Sequence, residues 1–135
     1  MIKEICLEDA EQVYSSYFKE ALKESGLRSF SFSKASKALV FEKEGEEAAL
    51  ASILIYREIT PKIIEIDFIA TRAAFRRQGI AQALVDFLEA EELWLELKEA
   101  NDKALSFYEK NGFTVTGRRD NYYSDGSAAL NMLRK

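Results

Sequence analysis

The sequence contains no histidine. Without imidazole there is no Ser/His/Asp or Cys/His nucleophilic centre, and no metal site that depends on histidine ligands. A single cysteine, Cys6, permits no internal disulfide. It is expected to be a small buried hydrophobe rather than an acyl carrier. One proline and six glycines are too few for a collagenous or low-complexity chain. Positive charge is in deficit: 19 basic residues against 23 acidic ones leave a net charge of −4 and a pI near 5.0. That balance argues against a broad nucleic-acid-binding surface and leaves room for a basic protein or peptide partner. No apolar run is long enough for a membrane span, and Met1-Ile2-Lys3-Glu4-Ile5 does not open a signal peptide. The expectation is a soluble protein of the reducing cytoplasm.

What the chain does have is a core. With 135 residues, 47% hydrophobic and 31% charged, it can bury about two-thirds of its extended surface. No linker or repeat divides residues 1–135, so one domain is expected. Ile2–Cys6 reads as a strand, and apolar residues at Ala10, Val13, Tyr14, Tyr17, Phe18, Ala21 and Leu22 make a helical stripe that ends before Gly26. Leu27–Lys37, with Phe30 and Phe32, reads as a loop. Residues 38–42 and 47–56 flank Lys43-Glu44-Gly45-Glu46 as an antiparallel hairpin. Ile63–Thr71 is apolar on both faces except at Glu65 and Asp67, as a central strand should be. Ile80, Ala83, Leu84, Phe87 and Leu88 then give a helix, and Leu93–Lys98 a further strand, completing a β-α-β unit. Asn101 caps a second helix carrying Ala104, Leu105, Phe107 and Tyr108, which stops at Asn111-Gly112. Phe113–Tyr123 and Ala128–Leu133 close the chain as a hairpin around Ser124-Asp125-Gly126-Ser127.

The segment Arg76-Arg77-Gln78-Gly79-Ile80-Ala81 lies between the central strand and a helix start. A helix start offers unpaired N–H groups and partial positive charge, Gly79 allows close backbone approach, and two arginines add charge-assisted donors. Such a loop suits a pyrophosphate. An ordinary helix start with solvated arginines reads the same way.

Four ordered segments carry a resemblance. They are Phe75-Arg76-Arg77-Gln78-Gly79-Ile80-Ala81, Trp94 through Asn101, Ala104 through Phe113, and Arg118-Arg119-Asp120-Asn121-Tyr122-Tyr123 before Asp125-Gly126. Together, from about Ile63 to Leu133, they resemble the GNAT superfamily of acyl-CoA-dependent N-acyltransferases, and within it the RimI-type protein N-terminal acetyltransferases. The resemblance implies an α/β (α+β) GNAT fold: a mixed, mostly antiparallel sheet of six to seven strands, helices on both faces, and a splayed central β-α-β coenzyme site. It implies that acetyl-CoA binds through the backbone of Ile69, Ala70 and Thr71 at a bulged strand end, through Arg76, Arg77, Gln78, Gly79, Ile80, Ala81 and Gln82 at the pyrophosphate, and through Asn101 near the thiol. It places a general base at Glu96 and a general acid at Tyr108, and requires no metal. The implied acceptor is a protein or peptide amino terminus, by resemblance that of a basic ribosomal small-subunit protein.

The residue types suit these roles. Glu96 shares a strand face with Trp94, and partial burial there would raise a carboxylate's proton affinity towards that of a working base. A half-exposed strand glutamate paired with Lys98 or another basic residue is the plainer reading. Tyr108 lies two turns after Asn101 on one helix face and carries a proton it can donate; the plainer reading is a core aromatic. Arg118, Arg119, Tyr122 and Tyr123 suit either an acceptor groove or a charge-protected edge strand. The sequence departs from the family in three places. Arg72-Ala73-Ala74 replaces an Asp-Pro turn, Ala81 stands for a third glycine, and the Leu88–Leu93 connection is short, with its helix expected to end near Glu92. No RimI-type acceptor loop is recognisable before Ala38. A small-amine or lysine N-acetyltransferase, or a non-catalytic acyl-CoA-binding module, are the competing expectations.

Overall fold

Residues 37–71 carry apolar or β-branched side chains at most positions. In the computed structural model, which describes residues 1–18, 32–43 and 49–135, they form three long strands. The elements are β1 (Ile2–Ile5), α1 (Leu7–Val13) running into a wider π-helical turn at Tyr14–Phe18, β2 (Lys37–Lys43), β3 (Ala49–Thr60) and β4 (Ile63–Thr71). A single 3-10 turn (Ala73–Phe75) leads to α2 (Ile80–Phe87), β5 (Glu92–Lys98), α3 (Asp102–Lys110), β6 (Thr114–Arg119) and β7 (Ala129–Arg134). The seven strands make one sheet in the order β1-β2-β3-β4-β5-β7-β6. Every pairing is antiparallel except β4 with β5, which α2 joins as the expected β-α-β crossover.

Strand alternation sends side chains to two cores. Leu39, Leu54, Ile64, Ile66, Leu93, Leu95 and Leu97 pack with Leu84 and Val85 of α2 and with Tyr108 of α3. Val40, Ile53, Ile55 and Phe68 pack on the other face with Ala10 of α1 and with Tyr14 and Phe18 after it. The spacing of Ala10, Tyr14 and Phe18 is the i, i+4, i+8 stripe that a helical segment lays on a sheet. Burying a leucine such as Leu84, fully enclosed, contributes about 1.5–3 kcal/mol. Among the described residues, the α1 side covers β2, β3 and the end of β4, and none of its core cluster comes from β5. Among those residues the α1-side face of β5 carries Trp94, which is exposed, and Glu96, which is half-buried.

Several expectations change in detail. Cys6 is exposed, not buried: it is the extended residue at the junction between β1 and α1. The helix expected to reach Glu92 ends at Phe87, because Leu88 turns to extended geometry to place its side chain in the core. Phe87, on the expected apolar stripe, is left half exposed. The last hairpin has shorter strands than expected, and β7 pairs with both β5 and β6. The helical positions Ala21 and Leu22, Gly26, the loop through Phe30 and the turn at Glu44-Gly45-Glu46 lie outside the described residues.

Candidate functional site

The site begins with a register fault. Ile55 on β3 pairs with Phe68, but the next residue, Tyr56, pairs with Ile66, leaving Asp67 as the extra residue of a β-bulge. A bulge bends its strand and increases twist. On the opposite side of β4, pairing with β5 stops at Ile66 and Leu95, although both strands continue. A wedge therefore opens between Asp67–Thr71 and Glu96–Lys98. The bulge also reverses the side-chain phase: Ile64 and Ile66 face the α2/α3 core, whereas Phe68 faces the α1 core.

The backbone along the wedge is polar. Arg72 N–H donates to Ala51 C=O on the β3 side at 2.8 Å, and antiparallel strands alternate the direction of their polar groups. The N–H and C=O groups of Ile69 and Thr71 thus face the wedge. Those of Ala70 face β3, where its carbonyl also accepts from Ser52 Oγ at 2.6 Å. Arg76 Nε donates back to the Thr71 carbonyl at 3.2 Å.

At the wide end of the wedge stands the start of α2. Arg77 and Gly79 have φ of 63° and 74°, a left-handed backbone that glycine adopts without strain and arginine adopts less readily. The first helical bond is Ala83 N–H to Gly79 C=O at 3.0 Å. The N–H groups of Ile80, Ala81 and Gln82 therefore have no acceptor inside the helix, and no side chain caps it. A Cβ built on Gly79 would meet nothing within 4 Å, so the turn that leads into these donors is open on that side. Arg76 and Arg77 are exposed beside it. Gln78 Oε1 accepts from Lys43 Nζ at the end of β2.

On the α1 side of the sheet, a cleft of about 570 Å³ is lined by Arg57, Glu65, Asp67, Glu96, Tyr122 and Tyr123, among others. Its floor is set by strand register: Arg57 pairs with Glu65 across β3 and β4, and Glu65 with Trp94 across β4 and β5. Arg57 holds Asp67 by two hydrogen bonds, of 2.7 and 2.9 Å, and Glu65 by one of 2.8 Å. Burial pushes the Glu65 carboxyl above the usual range; Arg57 opposes this, and the charges of Asp67 and Glu96 add to it. Burial, with Glu96 and Tyr122 beside it, also raises the Tyr123 phenol. Lys98 pairs with Asp125, which also accepts from Ser127 N–H at 2.9 Å, and this ties down the loop carrying Tyr122 and Tyr123.

Glu96 is the first β5 residue beyond the last β4 pair, so it stands where the cleft meets the wedge. Tyr108 lies behind β5, on the α2/α3 side, with its ring 7% exposed and edge-on to Phe107 and Phe113. Burial drives its phenol strongly upward, so it keeps its proton. Glu96 and Tyr108 are thus not in one cavity but on opposite sides of the sheet. Asn101 Oδ1 caps α3 at Ala104 N–H, 3.3 Å away. Arg119, Tyr122 and Tyr123 line the cleft, while Arg118 is turned to Glu99 and Asp120 on the edge. Sequence reasoning missed Arg57, Glu65 and Asp67 as cleft residues, although Glu65 and Asp67 were the two polar interruptions in an apolar strand. Among the described residues, no group of acidic and cysteine side chains is arranged to hold a metal ion.

The model of the acetyltransferase (GNAT) family matches residues 4–113. N-alpha-acetyltransferase 30 of Dictyostelium discoideum is 32% identical over 94 residues, which cover 62% of this chain and 51% of that protein. An N-alpha-acetyltransferase of Saccharolobus solfataricus is 35% identical over 74 residues, 49% of this chain and 44% of its own. The chain thus spans about half the length of the curated relatives it matches. The fold is that of the Escherichia coli ribosomal-protein-S18-alanine N-acetyltransferase, with a TM-score of 0.72 at 21% identity, over 99% of this chain and 92% of that one.

Proposed function

The chain belongs to the acetyltransferase (GNAT) family, and from that premise we propose that it transfers an acetyl group from acetyl-CoA to the α-amine of a protein amino terminus. The observation that carries this reading is the position of Glu96, a carboxylate at the junction of an acidic cleft with a polar backbone wedge. A cleft of Glu65, Asp67 and Glu96 against Arg57 and Arg119 favours an amine acceptor. The N-alpha-acetyltransferase relatives support the α-amine in particular. An α-amine is also the easier nucleophile: at pH 7 about 14% of it is neutral, against about 0.04% of a lysine side chain. The narrower acceptor, the amino terminus of a basic ribosomal protein, rests on the RimI-type motifs of residues 75–123 and on the acidic cleft.

The residues present fit the coenzyme. Ile80, Ala81 and Gln82 N–H groups, with the open space before Gly79 and with Arg76, Arg77 and Gln78 beside it, would hold the pyrophosphate. Ile69 and Thr71, either side of Ala70, would meet the amides of the pantetheine arm, and Asn101 would stand near its thiol end. When bound, acetyl-CoA supplies an acyl group activated as a thioester. Glu96 then accepts the proton that the α-amine sheds as it is acylated. Tyr108, kept protonated by burial, gives its proton to the leaving sulfur.

The test is thiol release from acetyl-CoA with a peptide bearing a free amino terminus, the same peptide N-formylated, and a polyamine. Release with the free peptide alone supports the reading. Release with the formylated peptide or the polyamine favours a lysine or small-amine acceptor. Binding of acetyl-CoA without release in any arm makes the chain a binding module.

A further inference from the structure

Glu96 does not face the cleft alone. Glu65 is opposite Trp94 in the parallel ladder, and Glu96 lies two residues further along the same strand face. The two carboxylates are therefore diagonal neighbours on one surface. Both line the same cleft. Arg57, reaching from β3, holds Glu65: its Nη2 donates to Glu65, while Nε and Nη2 grip Asp67. Strand alternation places the bridge: Asp67 lies two residues after Glu65 on β4, so both project to the face on which Arg57 stands opposite Glu65.

We propose that Arg57 is a positioning residue of the acceptor cleft, aiming Glu65 so that Glu65 and Glu96 meet the incoming amine together as a carboxylate pair. This rests on the acetyltransferase reading of the site and deepens it. Two facing carboxylates bind an ammonium group more tightly than one, and they provide a second acceptor for its proton. They also repel each other, and the guanidinium offsets that repulsion by sitting on the far side of Glu65. Asp67, gripped at both oxygens, anchors the guanidinium and leaves it one direction in which to hold Glu65.

The charged and titratable groups around Glu65 among the described residues are Arg57 on β3, Asp67 on β4, Glu96 on β5, and Arg119, Tyr122 and Tyr123 from β6 and the loop after it. Of these, Arg57 is the one that opposes the burial of the Glu65 carboxylate. Losing it should make Glu65 take up a proton at higher pH, and with that proton the pair loses half its charge.

The experiment combines kinetics with direct titration. In Arg57→Met, kcat/KM for a peptide α-amine should fall about tenfold at pH 6 and recover at pH 8.5, a shift of the acid limb to higher pH. Arg57→Lys should restore part of it. Carbon-13 NMR titration of the free protein should show the Glu65 carboxyl moving to higher pH in the same variant. In a Glu65→Gln background, Arg57→Met should move the acid limb no further. An unmoved Glu65 titration in Arg57→Met, or an equal kinetic shift with Glu65 already replaced, overturns the proposal. If the wild-type protein acylates no peptide, the function reading fails, while the Glu65 titration still decides the part of Arg57.

Discussion

Ile66 and Leu95 are the last partners of β4 and β5, and the groups assigned to chemistry lie just beyond them. On one side the next residue is the bulged Asp67, followed by the wedge-facing backbone of Ile69 and Thr71. On the other it is Glu96. A parallel pair that continued would satisfy these backbone groups with its own ladder and leave nowhere for an acyl group to pass. The loss of pairing at one point gives the fold an unpaired backbone edge in the middle of its sheet.

Gly79→Val should separate coenzyme binding from folding. Valine at a φ of +74° costs about 1–2 kcal/mol, and its side chain would occupy the open space beside the turn at the start of α2. Acetyl-CoA at a hundred times its Kd should stabilise the native protein by about 2.7 kcal/mol. Thermal melts with and without acetyl-CoA should show that gain lost in the variant, with only a modest fall in the ligand-free Tm. A full ligand-induced shift in Gly79→Val would move the coenzyme elsewhere.

The local geometry at the starts of α2 and α3 was legible because its signals are local in the chain. The left-handed turn at Gly79, the orphan donors after it and the Asn101 cap each depend on a few consecutive residues. Glu96, Arg119, Tyr122 and Tyr123 of the cleft were among the sequence candidates, but its β3–β4 floor was not legible, since it depends on register between distant segments: Arg57 meets Glu65 only because β3 and β4 pair as they do. The bulge at Asp67 is hidden in Ile63–Thr71, which is apolar on both faces and so gives no phase to break. Phe87 and Cys6 were misjudged for a related reason. Each sits at an element's end, where one residue's change to extended geometry decides burial.

Asp125→Asn should raise KM for the acceptor peptide several-fold and leave acetyl-CoA binding unchanged. Asp125 is held well below the usual carboxylate range by Lys98 and the Ser127 N–H. A carboxylate lowered on folding adds stability above its unfolded pKa, about 3.9, and loses it only as pH falls through the folded value. The tie to Lys98 is therefore intact throughout pH 5–8, and wild-type KM should not vary from this source in that range. Steady-state kinetics with peptide and coenzyme varied separately checks this; an unchanged peptide KM in the variant would remove the Tyr122–Tyr123 loop from acceptor binding.

Tyr108→Phe should lower kcat by about 10²-fold, as loss of a general acid does, with little change in urea stability. Its ring contacts with Phe107 and Phe113 do not involve the hydroxyl. Because burial raises the phenol above its ordinary value of 10, the wild-type rate should show no descending limb from this group below about pH 10. Normal turnover in Tyr108→Phe would leave Tyr108 as a core aromatic.

The most direct measurement of the central claim is the site of acetylation on a peptide that carries both a free α-amine and an internal lysine, read by mass spectrometry for the wild type and for Glu96→Gln. The expected result is acetyl on the α-amine, with kcat/KM reduced about 10²-fold or more in Glu96→Gln and acetyl-CoA affinity unchanged. Acetyl found mainly on the lysine, or equal turnover by Glu96→Gln, would contradict it.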